Sequence, residues 1–87
     1  SAIKFSLEEG QIVLSASNPE MGEAREEIET PFKGEGFSTG FNARYLLDAL
    51  SALQGDEATL QFKDALSPCL IKEESEGFLT VIMPMRV

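Results

Sequence analysis

The chain has 87 residues, which is enough for one domain with a modest hydrophobic core. Lys and Arg number 7 against 15 Asp and Glu, and the resulting net charge of −8 argues against a general attraction to nucleic acid phosphates. The sequence has no His, the commonest general base and metal ligand, so we predict no cofactor and no metal site.

Cysteine content and the lack of a visible targeting signal bear on the cellular compartment of the chain. Cys69 is the only cysteine, so no intrachain disulfide can form, and this suits a reducing cytosol. No apolar run reaches the ~20 residues of a membrane helix and no secretory signal is visible, so we expect no membrane partner. The chain opens on Ser1 rather than Met, which predicts a fragment or an excised domain.

The first part of the chain is predicted to consist of strands. Residues 2–7 and 11–17 alternate apolar and polar side chains, and the short turn between them favours a hairpin. After a loop, residues 23–32 are predicted to form a strand with an acidic outer face, because Pro31 would break a helix. A turn then precedes a short strand at 36–41.

One helix is predicted at residues 42–54. Asn42 is a suitable N-cap and Gly55 a suitable C-terminal stop. The polar face carries Arg44 and Asp48, which are spaced to form an ion pair. Four leucines at helical spacing predict a single apolar stripe: Leu46, Leu47, Leu50 and Leu53.

Three more strands are predicted after the helix, at 59–63, 66–73 and 78–82, with Pro68 marking an edge or a bulge in the second. Four strands, one helix and three strands give an α+β fold, with the helix on one face of a curved sheet and neighbouring strands antiparallel. One helix cannot cover seven strands, so we expect the remaining sheet surface to be covered by something outside the chain.

The C-terminal tail is unusually apolar for a chain end. The strand pattern of residues 78–82 runs into Met83, Pro84 and Met85, and Pro84 cannot donate a hydrogen bond to a sheet. Methionines adapt to varied apolar partners, so the tail is predicted to leave its sheet and line a groove. An edge strand that simply closes the core is the plainer alternative, and both stay open.

The whole chain resembles the C-terminal third of the bacterial sliding clamp, the β subunit of the replicative DNA polymerase. The most specific segment is the tail at 81–87, which contains Met-Pro-Met-Arg followed by one aliphatic residue. The other matching segments are residues 17–20, 40–42 and 45–53.

The resemblance implies a DNA-clamp fold. The clamp of this family is a ring-shaped homodimer with three domains per subunit, and each domain is made of two βαβββ halves. Residues 1–87 would form a partial third domain, with 1–35 ending its first half and 36–87 forming its complete second half. The first strand and first helix of that domain, and the two preceding domains, would lie outside the chain.

The resemblance also implies the function and the partners. The chain would belong to a processivity factor, not an enzyme, whose ring encircles duplex DNA in the bacterial cytoplasm and tethers the replicative polymerase. Its partners would be the DNA polymerase III catalytic subunit, the clamp loader and other polymerases, which insert short clamp-binding peptides into a hydrophobic pocket.

Three sets of site residues follow from the resemblance. Asn42 and Arg44 would face DNA. An acidic set would meet a basic edge of the other subunit, and its members are Glu20, Glu23, Glu26 and Glu27. A solvated strand face is an equal alternative for these residues. The largest set would form this domain's share of the peptide pocket, and it consists of Tyr45, Leu66, Pro68, Val81, Ile82, Met83, Pro84, Met85 and Arg86. Core packing is the alternative for Leu66 and Val81.

Two other functions stay open. A small hydrolase could use paired carboxylates such as Asp56 and Asp64, although no nucleophile motif accompanies them. A stand-alone peptide-binding adaptor could use the tail groove without ever encircling DNA.

Overall fold

A computed structural model describes residues 2–20, 22–75 and 77–86. The predicted order of four strands, one helix and three strands is confirmed within these residues. The elements are β1 (Ala2–Glu8), β2 (Gln11–Asn18), β3 (Gly22–Glu29), β4 (Phe37–Asn42), α1 (Ala43–Ser51), β5 (Thr59–Gln61), β6 (Cys69–Glu73) and β7 (Phe78–Ile82).

The described strands form two antiparallel sheets, so the prediction of one curved sheet was wrong. The larger sheet has the order β3-β2-β1-β4 and the smaller one the order β5-β6-β7. β4 pairs with β1 and not with β3, its neighbour in the chain. The connection between β3 and β4 must therefore carry the chain from one edge of the larger sheet to the other.

Gly10, in the β1–β2 turn, guides this crossing. Its N–H donates to the carbonyl of Phe32 at 3.0 Å, and its carbonyl accepts from the N–H of Thr30 at 3.0 Å. Gly10 has a φ of 82°, a conformation that glycine adopts readily. The chain then passes so close to β1 that a Cβ on Gly36 would lie 2.6 Å from the carbonyl oxygen of Leu7. These contacts explain why β4 emerges beside β1.

Several predicted elements are shorter than expected. The third strand stops at Glu29, and the strands predicted at 59–63 and 66–73 shrink to β5 and β6. Between them, the Asp64 carboxylate accepts the N–H of Leu66 at 2.9 Å and holds the chain in a turn. Side-chain hydrogen bonds of this kind compete with strand pairing, which is why residues 62–68 form a loop.

The C-terminal end of α1 differs from the prediction. Gly55 does not adopt a left-handed conformation, so it is not a glycine cap. Instead, the buried carboxylate of Glu73 accepts the N–H of Gln54 at 2.9 Å and the N–H of Gly55. A Cβ on Gly55 would lie 2.8 Å from that carboxylate, so the glycine is needed for close approach. Thus β6 fixes the chain that leaves the helix.

The main core joins both sheets to the helix. Phe5 of β1 and Phe41 of β4 meet edge to face, with ring centroids 5.2 Å apart. Leu46 of α1 and Ile71 of β6 are buried against them, together with Cys69 and Ile82. Burial raises the pKa of the Cys69 thiol to about 11, so the thiol stays protonated at neutral pH.

The helix is only partly covered. Leu46 is buried and Leu53 half-buried, but Leu47 and Leu50 are exposed, so the predicted single stripe is divided between a packed side and an open side. None of the helices in the described ranges has the length and apolar character needed to cross a bilayer.

Candidate binding cleft at the C-terminal tail

The C-terminal tail links the two sheets. β7 ends at Ile82, and the chain then leaves the smaller sheet. The N–H of Met85 donates to the carbonyl of Gly40 at 2.8 Å, which attaches the tail to β4 of the larger sheet. Ile82 is buried in the core, whereas Met83 and Met85 are exposed. The tail therefore both closes the core and presents an apolar surface.

A cleft of about 590 Å³ lies between this tail and the first turns of α1. Its most exposed apolar side chains are Tyr45 and Met83, each 66% exposed, and Val81 and Met85 are also exposed. Such a concentration of open apolar surface is typical of a binding groove. The cleft is lined by Asn42, Tyr45, Asp48, Ala49, Thr80, Val81, Ile82, Met83, Pro84 and Met85.

The start of the helix fixes the helical wall of the cleft. The Asn42 side-chain oxygen accepts the N–H groups of Arg44 at 2.9 Å and Tyr45 at 3.2 Å, so the predicted N-cap is confirmed. Asp48 and Ala49 follow Tyr45 by three and four residues and share its helix face. The helical wall therefore combines an aromatic ring, a small residue and a carboxylate.

The structure brings six of the nine predicted pocket residues together in the cleft. Arg86 instead lines a neighbouring depression on the outer face of the larger sheet. Leu66 and Pro68 lie outside the cleft on the loop before β6, and Leu66 is 81% exposed. Core packing therefore does not account for Leu66. The loop is held against β4 because the Thr39 hydroxyl donates to the carbonyl of Ala65 at 2.9 Å.

Sequence reasoning missed part of the cleft. Asn42 was predicted to face DNA but lines the cleft, and Asp48, Ala49 and Thr80 were not assigned to it. The spacing of Asp48 and Ala49 from Tyr45 was a usable signal, since residues three and four apart share a helix face.

The predicted DNA-facing pair lies at the start of α1. Asn42 occupies two of the free N–H groups at the start of α1, which leaves fewer for a phosphate. Arg44 is exposed and makes no ion pair with Asp48; the ion pairs in the described ranges join Arg25 to Glu27 at 3.1 Å and Lys72 to Glu74 at 3.9 Å.

The predicted acidic interface lies on and beside β3. Every residue of β3 is exposed, and β3 is an outer strand of its sheet. Glu23 and Glu27 lie on one face of the strand and Glu26 on the other, since side chains alternate along a strand. Glu20 precedes β3 in a turn, where its N–H donates to the Asn18 side chain at 2.8 Å. The four carboxylates therefore surround one free sheet edge.

The carboxylates considered for a hydrolase do not share a site. Asp56 lines a shallow depression that Asp64 does not reach. The Ser67 side chain, followed by the N–H of Leu66, lowers the pKa of Asp64 through hydrogen bonds, as expected for a turn carboxylate. Over the described ranges, no three His, Cys, Asp or Glu side chains group in a way that could hold a metal ion.

Comparison with known proteins identifies the family. Residues 1–86 match the family described as DNA polymerase III beta subunit, C-terminal domain. The chain belongs to this family. It is 42% identical over 87 residues to the beta sliding clamp of Caulobacter vibrioides, matching 99% of this chain and 23% of that relative.

Solved structures of beta subunits have the same fold. One is Caulobacter crescentus pol III beta, with a TM-score of 0.90, 42% identity and coverage of 99% of this chain and 24% of that one. Another is a sliding clamp from Bartonella birtlesii bound to griselimycin, with a TM-score of 0.88, 38% identity and the same coverage. The DNA-clamp fold predicted from the sequence is confirmed, and the chain spans about a quarter of the length of these relatives.

Proposed function

We propose that this chain acts as the C-terminal part of a sliding clamp, a ring that encircles duplex DNA and tethers the replicative polymerase without catalysing a reaction. The observation that carries the proposal is the open apolar cleft between α1 and the tail, in a chain whose family is the beta subunit. A tether raises the effective concentration of polymerase at the primer end, so processivity needs no chemistry from the clamp.

The cleft is suited to short peptides with apolar anchors. Met83 and Met85 have flexible thioethers, which can repack around Leu or Phe side chains of different partners. Tyr45 adds a large rigid face and a hydroxyl that can donate a hydrogen bond to a peptide carbonyl. Because these three side chains are already exposed, a peptide can bind without opening the core. We propose that the polymerase III catalytic subunit, the clamp loader and other polymerases bind here.

Leu66 and Pro68 are proposed to extend this surface. The loop that carries them is held to β4 by the Thr39–Ala65 hydrogen bond, so Leu66 is presented from an anchored segment. The Leu66 side chain is 81% exposed and is therefore available for contact with another protein surface. In the whole clamp we expect a second domain to approach this loop and complete the pocket.

The free edge of β3 is proposed to form the subunit contact of a homodimeric ring. An outer strand has unpaired N–H and C=O groups that can pair with a strand of another chain. Glu20, Glu23, Glu26 and Glu27 would direct a basic edge of the partner to this position. The charge of −8 is compatible with encirclement of DNA, because a closed ring stays on DNA by topology and does not need tight phosphate binding. Arg44 is proposed to make at most a weak contact with DNA.

Peptide binding tests the cleft directly. A fluorescent peptide with Leu and Phe anchors is titrated against the native polypeptide that carries this sequence, and binding is followed by anisotropy. Tyr45→Ala and Met83→Ala should each weaken binding by about ten-fold, corresponding to about 1.4 kcal/mol. Griselimycin, which is bound in the Bartonella birtlesii relative, should compete with the peptide.

Matched controls use exposed leucines outside the cleft. Leu47→Ala changes the same helix as Tyr45, and Leu79→Ala changes the strand that precedes Met83. Neither variant should change peptide affinity more than two-fold, a bound of about 0.4 kcal/mol. Equal losses in the controls and the cleft variants would contradict the assignment of the cleft.

Trapping on circular DNA separates a clamp from a stand-alone adaptor. The native polypeptide is incubated with its clamp loader and a nicked plasmid, and gel filtration separates bound from free protein. A ring should stay with the circle and be released when the plasmid is linearised. Peptide binding without retention on the circle would favour the adaptor.

A further inference from the structure

A cluster of positive side chains lies beside the cleft. A depression of about 480 Å³ on the outer face of the larger sheet is lined by Lys4, Arg25 and Arg86, and among the described residues Glu23 contributes a carboxylate to its lining. Three of the seven cations of the chain therefore meet at one place on a protein with a net charge of −8. We name the three side chains the basic shelf.

The register of the larger sheet builds the shelf. Lys4 of β1 pairs with Ser15 of β2, and Ser15 pairs with Arg25 of β3, so the three residues form a row on one face. Two strand spacings separate the Cα atoms of Lys4 and Arg25 by about 10 Å, a gap that their long side chains can bridge to one ligand. Arg25 also forms an ion pair with Glu27 at 3.1 Å, so the Glu27 carboxylate offsets part of its positive potential, but the Arg25 side chain stays exposed.

The shelf is continuous with the cleft at two points. Met85 lines the cleft and Arg86, the next residue, lines the shelf. In the same way, Asn42 lines the cleft, and its strand partner Ala2 lines the depression that contains the basic shelf. Gly40 stands between Met85 and Lys4 in the sheet and has no side chain to separate them. An extended peptide that leaves the cleft along the tail therefore passes next to the shelf.

We propose that the basic shelf binds acidic residues that flank the apolar anchor of a docked peptide, and so selects partners with an acidic flank. The inference rests on the proposed peptide-docking function and names the charge of the peptides that the cleft prefers. Lys4, Arg25 and Arg86 can each donate charge-assisted hydrogen bonds to a carboxylate, and Ser15 lies between the first two. The overall charge alone predicts the opposite preference, because it repels acidic peptides.

Two peptides with one apolar anchor test the proposal. One has two Asp residues on each side of the anchor and the other has Asn at the same positions, and both are titrated against the native polypeptide at low salt. The Asp peptide should bind about three- to ten-fold tighter, as expected for two or three exposed ion pairs. The ratio should fall toward one at 0.5 M salt, because exposed pairs are screened.

Charge-matched variants locate the effect. Lys4→Gln with Arg25→Gln should remove most of the preference and leave binding of the Asn peptide unchanged. Lys33→Gln with Lys72→Gln removes the same charge from positions outside the shelf and the cleft, and should keep the preference. Circular dichroism of both double variants checks that the fold is kept.

Each outcome decides a different question. Equal binding of both peptides to the unmodified protein would overturn the shelf and leave the docking cleft standing. Equal loss of preference in the two double variants would assign it to long-range charge and would also overturn the shelf. Failure of both peptides to bind would overturn the proposed docking function, and the shelf with it.

Discussion

The two outer strands of the larger sheet share their hydrogen-bonding pattern but have opposite surroundings. β4 is buried at Thr39, Gly40 and Phe41, because α1, the loop before β6 and the tail all cover it. β3 is exposed at all eight positions, and five of them are charged. Strand pairing therefore does not decide burial here; the elements packed against each edge do.

This difference indicates two kinds of contact surface. The β4 edge is closed by the tail and leaves an apolar cleft next to it, which suits a short peptide. The β3 edge stays open, and its charges prevent indiscriminate strand pairing while still allowing a basic partner. One sheet thus has an anchored edge beside the cleft that we propose for docking, and a charged edge that we propose for assembly.

Truncation of one apolar residue on each edge should give the largest contrast. Phe41→Ala removes a ring that is 1% exposed and should lower the free energy of unfolding by about 3–5 kcal/mol. Ile28→Ala on β3 removes a side chain that is 45% exposed and should cost less than about 1 kcal/mol. Urea unfolding of the two variants measures both values. Similar losses would mean that β3 is covered in the native protein.

Removal of one hydroxyl tests how the loop is anchored to β4. Thr39→Val keeps the shape of the side chain but leaves the Ala65 carbonyl without its donor, and should cost about 1–2 kcal/mol. Ser38→Ala changes the exposed neighbour on the other face and should cost about 0.5 kcal/mol or less. Amide hydrogen exchange at Leu66 should speed up only in the Thr39 variant. Unchanged exchange would show that the loop is held by other contacts.

Charge reversal on β3 tests the assembly edge. Glu23→Lys with Glu27→Lys should weaken self-association of the native polypeptide by about three- to ten-fold, with little change in the free energy of unfolding. Glu9→Lys with Glu57→Lys makes the same charge change at exposed positions outside β3. Sedimentation velocity over a concentration series measures both. If the control pair weakens association equally, β3 has no special part in the contact.

The sequence was most informative where short-range chemistry decides the structure. Alternating patterns located the β1–β2 hairpin, and Asn42 marked the start of the helix because its side chain bonds the next N–H groups. The tail was predictable for the same reason: Pro84 cannot continue a ladder, so the strand had to end before it.

The remaining features depend on contacts between distant residues. Pairing of β4 with β1 requires the crossing held by Gly10, which no local pattern indicates. The N–H groups of Gln54 and Gly55 donate to the carboxylate of Glu73, a residue type that a sequence alone would place on the surface. Arg86 was assigned to the peptide pocket by the family resemblance, but it lines a separate depression together with Lys4. Each case requires the three-dimensional pairing to be known first.

The smallest expected effect is a pH dependence of the free energy of unfolding, which arises from Asp64 in the loop that covers β4. Hydrogen bonds from Ser67 and from the N–H of Leu66 lower the pKa of Asp64 below 3.8, so the folded chain favours the carboxylate. The resulting stabilisation is present above the unfolded pKa of 3.8 and is lost as the pH falls through the lower folded value.

Asp64→Asn separates this charge from the turn itself, because Asn can still accept the N–H of Leu66. The variant should be less stable than the unmodified chain at pH 6, and the difference should shrink as the pH is lowered from 4 toward 2. Ser67→Ala should remove much of the same pH-dependent difference, since the Ser67 side chain is the main cause of the shift. Urea midpoints at each pH provide the measurement. A difference that stays constant down to pH 2 would mean that the Asp64 charge does not stabilise the loop over β4.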